Sequence, residues 1–345
     1  MVETMRKHKD PTEFGADFKS TTDFYNAVLQ AAEYIKTRLG IDRLDAALVF
    51  GSGHRALADE ISDPVVLHYS DIPNFPLATN IGHGSELVYG LIHGRRVILF
   101  KGRFHLVEGY RSFYHAWLGY LVALLGCELL ISTNSCGAIT TKLVIGDIMI
   151  MGDHLNCSYM PFVNAPILDG RLRSSKYSEK LPSGSFAHQK ELNFFAQECA
   201  CLVGMELMEG AYDVWVLPNF ETSADIHYTK QLGALVTGAS TVPEQISASI
   251  MGVKCLGFGA ISNPATGTVD GWVHDPEFYI EAGKKSLAGL KKVIWKVLER
   301  YPFNPDYKLA LDFSSKVGNP VQIKKISDDP STLLKISDTL ADKVR

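Results

Sequence analysis

The sequence predicts an α/β fold in a single domain, because short apolar strands alternate with helical segments along most of the chain. Small and polar residues gather where several of these strands end, which is where open α/β sheets bind ligands. The hydrophobic content of 46% and the charged content of 21% are ordinary for a soluble globular protein. We expect a loose polar segment over residues 1–19, the α/β domain over residues 20–300, and an extension of unassigned role over residues 301–345.

The charge and the cysteines argue against several classes of function. A net charge of −4 gives no basic excess, so nothing indicates binding to nucleic acid or to an anionic membrane. The six cysteines form no CxxC pair and lie mostly inside apolar runs, which is typical of reduced cysteines in an intracellular protein. Because residues 1–10 are charged and lack the apolar core of a signal peptide, we expect a cytoplasmic location.

The first predicted elements are a helix and a strand that ends in glycines. Apolar residues recur at helical spacing from residue 20 onward, and Gly40 is a typical helix stop. These apolar positions are Tyr25, Val28, Leu29, Ala32, Ile35 and Leu39. A short strand over residues 46–50 is followed by Gly51-Ser52-Gly53 and by a short helix over residues 55–61. A glycine turn between a strand and a helix is a typical phosphate cradle.

The same turn allows a second interpretation. Residues 51–56 match the GxGxxA form of the dinucleotide-binding fingerprint, residues 65–67 could form the second strand of that unit, and Asp71 could bind the ribose. The predicted helix is only about eight residues long, which is short for the crossover of a βαβ unit. An NAD-dependent oxidoreductase therefore stays open as an alternative.

A hairpin and a basic segment follow. Residues 86–89 and 96–100 predict two strands that turn at His93-Gly94. Beyond them, Arg103 and His105 lie two residues apart, so an extended backbone points both side chains to one side. An arginine and a histidine that converge suit an oxyanion such as phosphate. The structural alternative is an exposed arginine beside an incidental histidine.

The later elements continue the alternation. Strands are predicted over residues 129–133, 147–151, 208–217, 234–237 and 254–262, and helices over residues 191–203, 223–232 and 276–300. The apolar run over residues 116–131 is interrupted by Gly126 and Glu128, so it predicts a buried helix and a buried strand rather than a membrane span. Residues 158–190 are irregular and polar, which is typical of a long functional or subunit-contact loop.

One central stretch combines an aromatic ring, a carboxylate and a helix start. Phe220 directly precedes Glu221, and a flat ligand with N–H groups on its edge could use both. Farther along, Thr241 and Glu244 predict a capping box at the start of a new helix, whose free N–H groups suit an anion, and Ser240 adds a hydroxyl there. The stretch therefore predicts an anion at one end and a heterocycle at the other, although an ordinary cap and an ordinary core phenylalanine would give the same pattern.

Several short stretches, taken together, resemble the trimeric purine nucleoside phosphorylases over residues 20–300. They are Gly51-Ser52-Gly53, residues 72–76, 82–84, 102–105, 108–110, 133–134, 146–149, 153–154, 209–210, 220–222 and 240–244, and the single residues Gly238 and Asn263. Motifs that keep one order along a chain are more specific than any single motif. The resemblance implies a central mixed β-sheet flanked by helices, as in the nucleoside phosphorylase/hydrolase-like fold, and a homotrimer. It also implies reversible phosphorolysis of purine nucleosides in purine salvage, with phosphate as co-substrate and with no metal or organic cofactor.

The resemblance also implies roles for individual residues. The phosphate would be held by Ser52, His83, Arg103, His105, Ser135 and Ser240. The purine would be bound by Phe220, Glu221 and Asn263. The sugar side would be formed by Ala239, His274 and Tyr177, the last of them from a second subunit. The catalytic set would be Asn263, Glu221 and His105.

The amide at position 263 implies a substrate preference. Asn263 can hydrogen-bond the N7 and O6 side of a 6-oxopurine, whereas an aspartate there would favour a 6-aminopurine. Glu221 can accept from the purine N1–H. We therefore expect inosine and guanosine, rather than adenosine, as substrates. The related methylthioadenosine phosphorylase would show an acid at 263 and a small residue at 221, and neither is present.

Some residues depart from the family pattern near the sugar. They are Val107, Leu217, Ala239 and Pro264. A tyrosine that contacts the sugar is expected at 107, and a methionine that packs under the ribose is expected at 239. Smaller side chains at both positions predict a larger sugar pocket and weaker affinity for ribonucleosides. A phosphorylase with altered sugar specificity and a non-catalytic nucleoside-binding homologue stay open as alternatives.

Overall fold

In the part of the chain that the structure describes, nine β-strands join into one mixed sheet, with helices packed on both of its faces. The computed structural model of the chain describes residues 21–51, 60–76, 85–105, 108, 110, 112–157, 188–216, 219–273 and 275–307. Over these residues the predicted fold class, a single α/β domain with a central mixed sheet flanked by helices, is confirmed.

The strands and helices alternate along the chain. The strands are β1 Ala46–Val49, β2 Ser62–His68, β3 Glu86–Ile92, β4 Arg95–Phe100, β5 Leu129–Ala138, β6 Ile148–Leu155, β7 Met208–Val214, β8 Ala234–Gly238 and β9 Lys254–Pro264. The α-helices are α1 Thr21–Leu39, α2 Trp117–Leu124, α3 Lys190–Leu202, α4 Ser223–Gln231, α5 Val242–Ile250 and α6 Pro276–Arg300. Short 3-10 turns lie at Tyr69–Asp71 and Ser112–Ala116.

The sheet consists of a closed ring of strands and an open extension. The strand order is β2-β3-β4-β1-β5-β8-β7-β6-β9, and β9 also pairs with β5. That last pairing closes β5, β8, β7, β6 and β9 into a ring, from which β1, β4, β3 and β2 extend. β1 runs parallel to both β4 and β5, whereas β3 runs antiparallel to β2 and β4. β5 therefore lies at the junction, where it pairs with β1, β8 and β9.

The position of β2 contradicts the dinucleotide-binding interpretation. In a βαβ unit the second strand runs parallel to the first in the same sheet, and in the dinucleotide fold it lies directly beside it. Here β3 and β4 separate β2 from β1, and β2 pairs antiparallel with β3 at the edge of the sheet. The oxidoreductase alternative is therefore wrong. Residues 52–59, which hold most of the predicted short helix, lie outside the described ranges.

The core has one layer on each face of the sheet, and β1 shows how the strands divide it. Successive residues of a strand point to opposite faces. Ala47 and Val49 join the apolar cluster that contains α1 and α2, whereas Ala46 and Leu48 join the cluster that contains α3 and α6. The apolar run that starts near residue 116 forms the buried helix α2 and then β5, as predicted. Among the helices that the structure describes, none has the length and apolar character needed to cross a membrane.

Most predicted elements lie within a few residues of the observed ones. The hairpin of β3 and β4 is confirmed, and His93 and Gly94 have φ of 50° and 72° at its turn, where the tightest hairpins need positive φ. The prediction for β5 was too short. The predicted strand ended at residue 133, whereas residues 134–137 continue to pair with β9 and, at Gly137, also with β8.

Candidate active site

Arg103 is the buried centre of one end of the site. It follows β4 and is only 3% exposed. Its Nη1 donates to the Thr133 carbonyl at 2.9 Å and to the Ser240 hydroxyl at 3.2 Å. Its Nη2 donates to the Glu244 carboxylate at 2.7 Å and contacts the Val49 carbonyl at 3.4 Å. The guanidinium therefore ties the end of β1 and the middle of β5 to the start of α5.

The capping box predicted at the start of α5 is wrong, because Glu244 binds Arg103 instead. Thr241 is the N-cap of α5, but its side chain makes no capping hydrogen bond, and its backbone lies in the left-handed region with φ of 75°. Glu244 is buried, and burial raises the pKa of its carboxyl, while the Arg103 guanidinium acts in the opposite direction. Removing one member of a buried ion pair costs about 3–5 kcal/mol, so this pair holds the guanidinium firmly.

Two histidines lie close to this guanidinium. The His105 backbone N–H donates to the Glu108 carboxylate at 2.7 Å, and the ring Nδ1 lies 3.2 Å from the same oxygen. Burial lowers the pKa of His105, while the hydrogen bond with Glu108 raises it. Burial lowers the pKa of His115 to about 3, and His105 and Arg103 add to this effect. Both imidazoles are therefore mainly neutral at pH 7, and an anion bound beside His105 would favour the protonated form of that ring.

A small cavity opens beside the guanidinium. Its lining residues are Arg103, Phe104, His115, Leu118, Ser240, Thr241, Pro243 and Glu244. A guanidinium, two hydroxyls and a helix start are groups that bind phosphate in proteins. Of the predicted phosphate ligands, the structure brings Arg103 and Ser240 into contact and places His105 close to them. Ser52 and His83 lie outside the described residues.

The Glu221 carboxylate marks the other end of the site. It is buried, and it accepts a hydrogen bond from the Thr237 hydroxyl at 3.0 Å and a longer one from Thr266 at 3.5 Å. Thr222 forms a capping box with Asp225 at the start of α4, and this fixes the backbone directly after Glu221. That capping box was not among the sequence predictions. Carboxylate oxygens have about four acceptor positions, so Glu221 keeps capacity for the N–H groups of a ligand.

Asn263 is aimed at the same region by an irregularity in the sheet. The register between β5 and β9 shifts just before Gly137, which then pairs with Asn263 on one side and with Thr237 on the other. The Asn263 Oδ1 accepts from the Ser262 hydroxyl at 2.7 Å, and its Nδ2 donates to the Pro264 carbonyl at 2.9 Å. A Cβ atom on Gly137 would lie 3.0 Å from that Nδ2. The second amide N–H of Asn263 remains for a ligand.

Strand β8 joins the two ends of the site. Thr237, which holds the Glu221 carboxylate, lies in β8, and Ser240, which holds the guanidinium, follows the last residue of that strand by two positions. The Ser240 backbone N–H lies 3.5 Å from the Tyr212 hydroxyl, which accepts from the Asn134 amide at 2.5 Å. The arrangement suits one ligand, or two adjacent ones, with an anion at one end and an N–H-bearing heterocycle at the other.

The comparison with known proteins identifies the family. The model of the phosphorylase superfamily matches residues 45–299. The chain belongs to the phosphorylase superfamily. Purine nucleoside phosphorylase 1 of Bacillus subtilis (strain 168) is 35% identical to it over 272 residues, which cover 79% of this chain and 97% of that protein. The resemblance to purine nucleoside phosphorylases is therefore confirmed.

Solved structures of purine nucleoside phosphorylase from Schistosoma mansoni have the same fold. The complexes with adenosine and with inosine each give a TM-score of 0.69 at 26% identity. The alignments cover 80% and 81% of this chain, respectively, and 98% of each solved chain. The likeness extends over nearly the whole of those proteins, so it is not confined to one motif.

The remaining predicted residues of this phosphorylase-superfamily chain have different surroundings. Phe220 is 52% exposed, and its ring meets Tyr279 edge-on with 6.2 Å between the ring centroids. It is therefore not a core residue, and its exposed ring can contact a flat ligand. Ser135 in β5 and Ala239 beside Ser240 are both half-buried. The predicted residues His274 and Tyr177, and the unusual residues Val107 and Leu217, lie outside the described part of the chain.

Sequence reasoning missed part of the polar network of this phosphorylase-superfamily site. The missed contributions are those of Thr237, Tyr212 and His115, and the pairing of Glu244 with Arg103. A signal existed for His115, which is a titratable residue at the start of a run that is otherwise apolar. Tyr212 and Thr237 lie inside predicted strands, and only the pairing of those strands brings them to the site.

Proposed function

We propose that the protein is a purine nucleoside phosphorylase. It converts a purine (deoxy)ribonucleoside and phosphate reversibly into the free base and (deoxy)ribose 1-phosphate, with inosine and guanosine as preferred substrates. The observation that carries the proposal is the placement of Thr237 with Glu221 in β8, and of Ser240 with Arg103 two residues after that strand ends. An anion site and a base site held by residues three positions apart suit a phosphate and a nucleoside bound side by side.

The chemistry follows from the charges at each end. A phosphate oxygen forms a bond to C1′ of the sugar while the C1′–N9 bond breaks, and the electron pair of that bond goes to the purine. Arg103 and Ser240 hold the phosphate close to the carbon that becomes positive. Glu221 accepts from the purine N1–H, and the free N–H of Asn263 donates to N7 or O6, which stabilises the leaving base.

The preference for 6-oxopurines rests on the amide at 263. Ser262 and Pro264 hold the Asn263 amide in place, and its second N–H is a donor that a ligand can use. A donor suits the O6 acceptor of inosine and guanosine better than the 6-amino group of adenosine. The Schistosoma mansoni relative has been solved with both adenosine and inosine, so the comparison of these two nucleosides is the informative test.

The proposal includes the assembly and the location of the protein. We infer a cytoplasmic homotrimer that acts in purine salvage and uses phosphate as co-substrate without a metal or organic cofactor. The division into residues 1–19, 20–300 and 301–345 also belongs to the proposal, and the family match over residues 45–299 supports it. Tyr177 of a neighbouring subunit and His274 are the proposed contacts to the sugar.

Altered sugar specificity is the second candidate. Ala239 precedes Ser240 and is half-buried, so its short side chain stands between the base end and the anion end of the site. A side chain this small leaves room beside the sugar, which favours a deoxyribonucleoside or another sugar over a tightly packed ribose. A Michaelis constant for inosine that is micromolar or lower would contradict this candidate.

The experiment that tests the proposed function measures the release of hypoxanthine from inosine, with and without phosphate. Adenosine is the paired control, and Glu221→Gln is the matched variant, because it keeps the size of the side chain and removes its charge. We expect phosphate-dependent release from inosine, little from adenosine, and a loss of activity of about 100-fold in the variant. No release from inosine, guanosine or their deoxy forms would contradict the proposal.

A further inference from the structure

A second cluster of ligand-bearing side chains lies at the end of β6. It consists of Asp153, His154 and His188, and it shares no residue with the site described above. One ligand atom from each of the three lies within 4.8 Å of the other two. Within the described ranges, this is the one group of three or more histidine, cysteine, aspartate or glutamate residues with such a spacing.

The two imidazoles face each other at a distance close to that of two ligands on one metal ion. His154 Nδ1 and His188 Nε2 lie 2.9 Å apart, and the rings are inclined by 53°. With Zn–N bonds of about 2.0–2.1 Å and tetrahedral angles, two ligand nitrogens lie about 3.3 Å apart. The rings therefore need to separate by only a few tenths of an ångström for an ion to replace the proton between them.

The aspartate supplies a third ligand that is already oriented. The His154 backbone N–H donates to Asp153 Oδ1 at 2.8 Å, which fixes the carboxylate and leaves Oδ2 for an ion. His188 is 5% exposed, whereas Asp153 is exposed, so an ion can reach the cluster from solvent while one ligand stays rigid.

His188 faces His154 with its Nε2, and its buried Nδ1 reaches no hydrogen-bond partner in the described part of the chain. The Met151 carbonyl nearby accepts from the Asn193 amide at 3.0 Å. Burial lowers the pKa of His188 to about 4, and burial also lowers that of His154. Both rings are therefore in the neutral form that binds metal ions.

We propose that Asp153, His154 and His188 bind one divalent transition-metal ion of the zinc class. Two imidazoles and one carboxylate are a ligand set that such ions prefer, with water in the remaining position. The ion would connect the end of β6 to the residue that precedes α3 by two positions, and in the sequence these two points flank residues 158–187. Its role would be to stabilise the fold, and the proposal does not depend on the proposed reaction.

The test uses the full chain, treated with a chelator and then titrated with Co²⁺ as a spectroscopic probe for zinc. We expect one Co²⁺ per chain with a visible d–d band from nitrogen and oxygen ligands, displacement of that band by Zn²⁺, and a Tm raised by about 5 °C at a hundredfold excess of Zn²⁺ over its Kd. A sulfur charge-transfer band would place the ion on a cysteine and would overturn the proposal.

Variants locate the ion. His154→Asn and His188→Asn are expected to weaken Co²⁺ binding at least 100-fold, and Asp153→Asn to weaken it at least tenfold. His227→Asn is the matched control, because this exposed histidine lies on α4 and bonds Gln231. Should His188→Asn fail to fold, the half-buried His154 carries the test. Unchanged binding in the His154 variant, or no band in the unmodified protein, would overturn the proposal.

Discussion

Replacing Asp213 with asparagine is predicted to stabilise the protein at neutral and alkaline pH. Asp213 is fully buried in β7. No donor in the described part of the chain reaches hydrogen-bonding geometry with either of its oxygens, although nearby Cys157 favours the charged form. Burial raises the pKa of this carboxyl to about 6, and the nearby Glu221 adds to the effect. The folded state therefore carries an ill-solvated charge at pH 8.

The magnitude follows from the two pKa values. A pKa raised from 3.8 to about 6 corresponds to about 3 kcal/mol of lost stability above pH 6, at 1.36 kcal/mol for each pKa unit. Because the folded-state pKa is raised, the loss is absent well below pH 3.8 and grows between pH 4 and pH 6. At pH 4 it amounts to only about 0.5 kcal/mol. A buried amide without partners costs about 1 kcal/mol at any pH, so the net gain for Asp213→Asn is about 2 kcal/mol at pH 8.

The assay is thermal unfolding of both proteins between pH 4 and pH 8. We expect the Tm of Asp213→Asn to exceed that of the unmodified chain by about 3 °C at pH 8 and to equal it or fall below it at pH 4. Asp270→Asn is the control, because Asp270 is exposed and its replacement is expected to shift the Tm by less than about 1 °C at every pH. A difference between the Asp213 proteins that stays constant with pH would refute the reasoning.

Three further predictions concern the candidate active site. Arg103→Gln should lower the rate of phosphorolysis at least 100-fold. It should also lower the free energy of unfolding by about 3–5 kcal/mol, since the Glu244 carboxylate stays buried without its cation. An active variant whose unfolding in urea is unchanged would contradict both effects. Gly137→Ala should displace the Asn263 amide, because the new Cβ would lie 3.0 Å from its Nδ2. We expect kcat/KM for inosine to fall about tenfold and the affinity for sulfate to stay unchanged. Equal losses in kcat/KM and in sulfate affinity would disprove the separation of the two ends of the site. Sulfate binding at pH 7 should be accompanied by uptake of a proton. Burial lowers the pKa of His105, and an anion near this imidazole opposes that effect. A calorimetric binding enthalpy that is the same in buffers of different ionisation enthalpy would rule out the proton uptake.

Local patterns in the sequence were sufficient to predict most elements. The periodicity of α1, the turn at His93-Gly94 and the apolar run before β5 each depend on neighbours a few residues apart, so they can be read directly. The junction of strands at β5 cannot be predicted from neighbouring residues, because β5 and β9 pair through residues more than 100 positions apart. For the same reason the sequence did not reveal that β5 continues to Ala138 or that β2 lies away from β1.

The candidate site divides in the same way. Arg103, Ser240 and Glu221 were predicted from local patterns and from the family resemblance, and Asn263 from the resemblance alone. The structure places the four residues in two linked groups. The role predicted for Glu244 was wrong, because its spacing from Thr241 matched a local capping motif while its carboxylate binds Arg103. A buried guanidinium needs a counter-charge more than a helix start needs a cap, since the first is worth several kcal/mol and the second about 1 kcal/mol. Such competition between local and distant partners is not visible in a linear motif.

The most direct test of the central claim is ³¹P NMR of the purified protein with inosine and phosphate. We expect the phosphate resonance to be replaced by that of ribose 1-phosphate, mole for mole with the hypoxanthine released. Added hypoxanthine and ribose 1-phosphate should run the reaction backwards. Hypoxanthine that appears together with free ribose, while the phosphate signal stays unchanged, would mean that water and not phosphate attacks the sugar. That result would contradict the assignment of Arg103 and Ser240 as the phosphate site.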